Sequence, residues 1–216
     1  MAGEMPDFDG VEGLYDFEKP MATRQTSAKC LNLLAAKMPQ LMGGSADLGP
    51  SNLSEMKDTD TVKYGTFSAK DFSGRNMHYG IREHAMAAIA NGMQLHGGIM
   101  AYCATFFVFS DYMKPAVRMA ALMELPVKFI WSHDAFRVGE DGPTHEPVEQ
   151  EAQIRLMEKL KNHSGKNSVL VLRPADVHET TVAYKMMMEN MSTPTAMILS
   201  RQNIKDLPAK ECRLCE

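Results

Sequence analysis

Nine consecutive residues, Gly139-Glu140-Asp141-Gly142-Pro143-Thr144-His145-Glu146-Pro147, hold two glycines, two prolines, three acids and a histidine. Glycine reaches backbone angles that other residues resist and proline fixes its own, so such a loop holds its carboxylate and imidazole in a set geometry. That composition points to a site built around Asp141 and His145 without naming its chemistry. Polar groups recur elsewhere in a common setting. Gly43-Gly44-Ser45-Ala46-Asp47, His133-Asp134, Arg173-Pro174 and Arg201-Gln202 each follow directly on a short apolar run. Singly, each reads as a cap, an ion pair or a surface charge. Their recurrence after one apolar run after another argues for a shared rim.

The elements that must position them follow from periodicity. Gln40–Gly43, Ile99–Ala104, Val127–Ser132, Ser168–Leu172 and Ala196–Ser200 are short apolar runs and read as buried strands. Ala85–Leu95 sets Met86, Ile89, Ala90 and Met93 on one helical face, Phe106–Leu122 continues a similar pattern across Pro115, and Asp176–Asn190 opens on a capping Asp. Alternating strands and helices predict an α/β fold with three layers, a mostly parallel sheet with helices on both faces. In an open parallel sheet, residues just past the strands share the carboxyl edge, where ligands bind.

A chain of 216 residues with 44% hydrophobic content is expected to bury one substantial core. Residues 1–20 are acidic, contain Gly and Pro and lack sustained periodicity, so they read as an N-terminal extension or linker. The formal net charge of -4, with Lys and Arg scattered, offers no footprint for nucleic acid or an anionic membrane. No apolar run approaches a membrane span, and MAGEMPDFDG lacks the basic start and apolar core of a secretory signal, so a cytoplasmic setting is expected. Cys30 and Cys103 lie in apolar stretches and read as reduced core residues. Cys212 and Cys215 form an isolated C-x-x-C without the further ligands that zinc needs, so residues 206–216 read as a tail and no metal site is expected in the chain. Met186, Met187, Met188 and Met191 cluster as helical packing residues.

The motifs MATRQTSAKCL, GGSADLGPSNL, HYGIREHAMAAIANG, ATFFVFSDYMKPAVRMAAL, HDAFRVGEDGPTHEPVEQ, LRPAD and PTAMILSRQN occur in the order found in transketolases. Over about residues 19–205 the chain resembles their pyrimidine-binding domain, and 21–205 is expected to be that domain. The resemblance implies a six-stranded parallel sheet (the thiamine diphosphate-binding fold), thiamine diphosphate as cofactor, and transfer of a two-carbon ketol unit between sugar phosphates in the pentose phosphate pathway. Glu83 in IREH matches the acid that hydrogen-bonds the aminopyrimidine ring, and Phe106, Phe109 and Tyr112 match the aromatic wall around it. Asp47 matches a residue near the cofactor. Arg24, Ser51, His133 and Arg173 match positions that hold the sugar phosphate, while Asp141 and His145 match positions that contact the sugar hydroxyls, His145 with a catalytic part. Spacing alone gives plainer readings. The three aromatics, three residues apart, would share a helix face as core, and Glu83 near a helix start would serve the dipole alone.

The Gly-Asp-Gly motif and later asparagine through which this family holds Mg or Ca are absent from the sequence, so metal and diphosphate are expected on a diphosphate-binding domain outside this chain. The resemblance therefore implies half an active site, a homodimer, and no ketol transfer by the chain alone. Ala135-Phe136-Arg137 stands where many transketolases have Ser-Ile-Gly, and Glu146 where Gln is usual, which bears on the acceptor sugar. Lys159–Lys166 reads as a short inserted surface loop. Deoxyxylulose phosphate synthase and the related decarboxylating dehydrogenase subunit share the implied fold, but His133-Asp134 and the complete GEDGPTHEPVEQ favour transketolase. A non-catalytic assembly or regulatory pyrimidine domain is the other alternative, and retention of Glu83 and the phosphate set argues against it.

Overall fold

Residues 100–106 are buried along the whole run, and their side chains divide: Ala101 and Cys103 join one apolar core, Tyr102 and Ala104 another. Side chains alternate across a strand, so a run buried on both sides belongs in the middle of a covered sheet. In the computed structural model, which describes residues 5–17, 19–135 and 137–207, six strands build that sheet. They are β1 (Leu41–Ser45), β2 (Asn76–His78), β3 (Met100–Phe106), β4 (Lys128–Ser132), β5 (Leu170–Leu172) and β6 (Thr195–Leu199). All pair in parallel in the order β2-β1-β3-β4-β6-β5.

The helices are α1 (Thr23–Lys37), α2 (Gly49–Asn52), α3 (Glu83–His96), α4 (Ser110–Leu122), α5 (Gln150–Lys159) and α6 (Val177–Glu189). Met86, Ala87 and Ala90 of α3 and Met113, Val117 and Ala120 of α4 cover one face of the sheet, against Phe129 and Trp131 of β4. Leu31 and Leu34 of α1 and Tyr184, Met187 and Met188 of α6 cover the other, against Ile130 of β4. The methionines at 187 and 188 are thus core packing, and Cys30 and Cys103 are buried free thiols that burial holds well above the ordinary thiol range.

The N-terminal segment expected as an extension or linker packs on the domain. Phe8, Val11 and Leu14 enter the α1/α6 core, and Lys185 of α6 pairs with Asp9 at 3.1 Å. Asp176 caps α6 by accepting from the Glu179 amide at 2.8 Å. The single helix expected over Phe106–Leu122 is three pieces: Phe106 ends β3, Phe107–Phe109 form a 3-10 turn, and α4 begins at Ser110. Pro115 stays inside α4, in its second turn, where one early hydrogen bond is forgone. Phe136, Cys212 and Cys215 lie outside the described residues.

Candidate active site at the carboxyl edge of the sheet

Because every strand is parallel, the chain leaves β1, β3, β4, β5 and β6 at the same edge, and each polar cluster read from the sequence lands there. A buried knot joins two of them. The Thr23 amide donates to Ser200 Oγ at 3.0 Å and the Ser200 amide donates to Thr23 Oγ1 at 2.7 Å, tying the start of α1 to the end of β6. Their chain neighbours, Arg24 and Arg201, consequently sit in one another's field, and Asp141 acts on the same Arg24 guanidinium. Burial first, then Arg201, lowers the Arg24 pKa. Arg24 Nη1 donates to the Ser51 carbonyl at 2.5 Å, and its buried Nε has no hydrogen-bond partner among the described residues. Two guanidinium groups held this close repel, a cost that a bound anion would remove.

His133 follows β4 in the left-handed region, at φ 62°. Its ring is buried, lies face to face on Phe106 with centroids 3.6 Å apart, and keeps Nδ1 2.9 Å from Ser132 Oγ. Burial, then Arg24, Arg201 and His145, push its pKa down to about 3, so the imidazole is neutral near pH 7. Its Nε2 lies 3.8 Å from Asp141 Oδ2, a contact with no ion-pair character while the ring is neutral.

The glycine-proline loop places Asp141 and His145 as its composition predicts. Gly139 and Gly142 take φ of 79° and 77°, reversing the chain around two short 3-10 turns, Gly139–Asp141 and Pro143–His145. The His145 amide donates to the Gly142 carbonyl at 3.0 Å, and Thr144 Oγ1 lies 2.8 Å from His145 Nδ1. The His145 ring stands edge-on to Phe109 and Phe106, at 5.3 and 6.0 Å between centroids. Asp141 Oδ2 lies 3.9 Å from Arg201 Nε, and Glu140 reaches the same guanidinium at 3.4 Å.

Phe106, Phe109 and Tyr112 form a stacked ladder, with centroid steps of 5.9 and 6.3 Å, although they come from a strand end, a 3-10 turn and a helix. Phe106 is buried but Tyr112 is 63% exposed, so the ladder runs outward from the rim and its outer end is not core. Glu83 is the first residue of α3, 8% exposed, and its carboxylate has no hydrogen bond or ion pair among the described residues. Among the described residues no hydrogen bond or ion pair joins Glu83 to the His133 cluster. Asp47 follows β1, exposed, at φ 62°.

Arg173 reaches the same edge past β5 but stands outside the cluster. Asp134 and Glu151 hold its guanidinium, each at 3.2 Å, while Arg201, itself bridged to Glu140 and Asp141, is the arginine that acts with Arg24 on His133. The sequence carried the signal for Arg201 too, an arginine directly after an apolar run. Glu146 follows the second 3-10 turn, half-buried. A separate groove lined by Lys114, Arg118, Met157 and His163 contains none of these residues.

Residues 19–206 match the family described as transketolase, pyrimidine binding domain. A transketolase of Halalkalibacterium halodurans is 49% identical over 206 residues, which is 95% of this chain and 29% of that protein. The crystal structure of a Campylobacter jejuni transketolase superposes with a TM-score of 0.79 at 43% identity, over 94% of this chain and 29% of that one. A Pichia stipitis transketolase solved in complex with sedoheptulose 7-phosphate superposes with a TM-score of 0.80 at 38% identity, over 94% and 29%. The chain thus spans somewhat under a third of the relatives it matches.

Proposed function

We propose that this chain, which belongs to the transketolase pyrimidine-binding domain family, supplies the pyrimidine-side half of an active site that moves a two-carbon ketol unit between sugar phosphates. The observation that carries the reading is the pairing of Arg24 with Arg201 beside the neutral His133, with an orphaned Arg24 Nε between them and the loop of Asp141 and His145. Guanidinium donors gathered at a parallel sheet's carboxyl edge suit a phosphate. The relative solved with sedoheptulose 7-phosphate supports the same substrate class. In this reading Arg24, Ser51, His133 and Arg201 take the phosphate, while Asp141 and His145, stiffened by Gly139 and Gly142, meet the sugar hydroxyls. Arg173, engaged by two carboxylates, braces the Asp134 segment behind His133.

The residues present suit thiamine diphosphate. The Phe106–Phe109–Tyr112 ladder offers flat apolar faces that end in an exposed ring, and the Glu83 carboxylate, without a partner among the described residues, is free to bond a ring nitrogen. When bound, that cofactor supplies the carbanion chemistry which lets a carbon–carbon bond next to a carbonyl break. With the cofactor in place, Glu83 would hold a proton toward the aminopyrimidine, the aromatic ladder would pack against it and exclude water, Asp47 would lie near it, and His145 would orient a sugar hydroxyl. Diphosphate and its Mg or Ca belong to a diphosphate-binding domain of the same enzyme, outside residues 21–205. The pentose phosphate pathway and the cytoplasm are the setting this activity implies.

The test is reconstitution. The purified chain should show no ketol transfer from a ketose phosphate, and activity should appear when it is combined with a transketolase diphosphate-binding domain, thiamine diphosphate and magnesium. Turnover by the chain alone would overturn the half-site reading.

A further inference from the structure

Asn52, the last residue of α2, is buried beneath His133 and none of the family motifs gives it a role. It lies in a chain of hydrogen bonds whose hydrogens can be counted from one fixed end. Ser45 Oγ lies 3.0 Å from the Ala104 carbonyl oxygen, which only accepts, so the single Ser45 hydroxyl hydrogen must lie between them. Ser45 Oγ is then an acceptor toward the Leu48 amide at 3.2 Å and toward Asn52 at 2.9 Å, so Asn52 turns its NH2 group to Ser45. Asn52 Oδ1 therefore faces Ser132 Oγ at 2.6 Å, and being an acceptor it takes the Ser132 hydrogen. Ser132 Oγ has none left for His133 Nδ1, 2.9 Å away, and can only accept from it. The neutral ring is thereby fixed with its hydrogen on Nδ1 and a bare lone pair on Nε2. Turning the Asn52 amide over would break the count at its fixed end, leaving two oxygens 3.0 Å apart with no hydrogen between them.

Nε2 is the ring atom on the side of the charged cluster. Asp141 Oδ2 from the loop is 3.8 Å from it, Arg24 from α1, Arg201 past β6 and His145 from the loop act on the ring, and Phe106 covers one face. Asp134, next in the chain, is committed to Arg173, and Glu140 to Arg201. We propose that Asn52, acting through Ser132, is a positioning residue that holds His133 in the Nδ1–H form, so that this pocket takes up a phosphate group only together with a proton. A phosphate dianion drawn in by the two arginines would turn an oxygen lone pair toward a nitrogen lone pair. One proton from solvent resolves this, carried by the phosphate as P–OH to Nε2 or by the ring as Nε2–H to the oxygen, and in both cases the complex gains a single proton. The ligand half of the proposal rests on the sugar-phosphate reading above, whereas the relay rests on the hydrogen count alone.

Two measurements on the full 216-residue chain separate those halves. Nitrogen-15 NMR of the imidazoles, with His133 assigned through His133→Gln, should show Nδ1 protonated and Nε2 unprotonated at pH 7.5. Asn52→Ala frees the Ser132 hydrogen and Ser132→Ala removes the acceptor, so either variant that keeps the parent circular dichroism spectrum should shift the ring toward the Nε2–H form. An Nε2–H ring in the parent chain, or a tautomer unmoved by both variants, overturns the relay. Inorganic phosphate titrated by calorimetry at a pH above its second ionisation, where the free anion is the dianion, in buffers of different ionisation enthalpy, should bind with uptake of one proton. Above the second ionisation of phosphate its affinity should fall about tenfold per pH unit. Asn52→Ala, able to present Nε2–H to the dianion, should flatten that slope. Phosphate binding without proton uptake overturns the coupling. No phosphate binding at all, with the tautomer as expected, overturns the phosphate reading of the cluster and leaves the relay standing.

Discussion

Each side chain at the rim is set by what its neighbours let it do. Glu83 is a largely buried residue whose carboxylate has no hydrogen bond or ion pair among the described residues, an unusual position for an acid whose purpose is a helix dipole. In the reconstituted enzyme Glu83→Gln should leave the fold intact and lower ketol transfer by about 10²–10⁴-fold, the scale of a lost proton-transfer group. Near-normal turnover would return Glu83 to the dipole role. Arg201→Ala should weaken phosphorylated substrates about tenfold or more relative to unphosphorylated ones, whereas Arg173→Ala should treat both alike. Steady-state kinetics with a ketose phosphate and an unphosphorylated ketose decides between the two arginines. A second buried base bears on stability and its pH dependence instead. Lys128, at the start of β4, is fully buried, its ammonium meeting among the described residues the Asn190 carbonyl at 2.7 Å, and burial lowers its pKa to about 7. Between pH 10.5 and 7 the unfolded chain binds a proton that the folded chain refuses, so stability falls as pH falls through that window and levels off below it. Lys128→Met should flatten that profile and raise stability at pH 7 by on the order of 2 kcal/mol, after allowing for the lost hydrogen bond, as read by urea unfolding. His133 works in the same direction lower down, with stability lost as pH falls from 6.5 toward about 3.

Among the elements, the Gly139–His145 loop and the knot between α1 and β6 do the positioning. Gly142 at φ 77° has open space around a would-be Cβ, so Gly142→Ala tests backbone strain without a clash. We expect that substitution to move the Asp141 and His145 amide resonances and to slow ketol transfer in the reconstituted enzyme, with global stability lowered by about 1 kcal/mol. Unchanged resonances would mean that the loop does not need its left-handed residue. Strands β3 and β4 were foreseeable from their apolar runs because both are buried on two sides and read as continuous hydrophobic stretches. β2 is only Asn76–His78 at the sheet's edge, half-buried to exposed, and carries no such signal. The 3-10 turn after β3 was equally hidden, since three aromatic residues at helical spacing look the same whether the backbone is one helix or a strand, a turn and a helix.

For the molecule as a whole, the face opposite the sheet on α3 and α4 leaves Ile89, Leu95, Tyr112, Met119 and Leu122 exposed. Exposed apolar groups of this extent favour association, and we expect the chain to sediment as a dimer or larger species, with Leu95→Glu plus Met119→Glu driving it to monomer. A monomer at high concentration in the parent chain would count against the homodimer. Among the described residues no helix is long and apolar enough to cross a membrane. By itself the sequence determined the parallel α/β class, the carboxyl-edge location of its polar clusters and the stiff Asp141–His145 loop, because strand burial, chain direction and glycine-proline chemistry are local or periodic properties written in residue order. Only the tertiary structure decided that Arg201 stands in the field of Arg24, that Phe8, Val11 and Leu14 belong to the core, and that Asn52 reaches His133 across 80 residues of separation between Asn52 and Ser132. Those outcomes depend on which carboxylate claims which guanidinium and which hydroxyl meets which amide, contacts between strands and loops distant in the chain that no periodicity encodes.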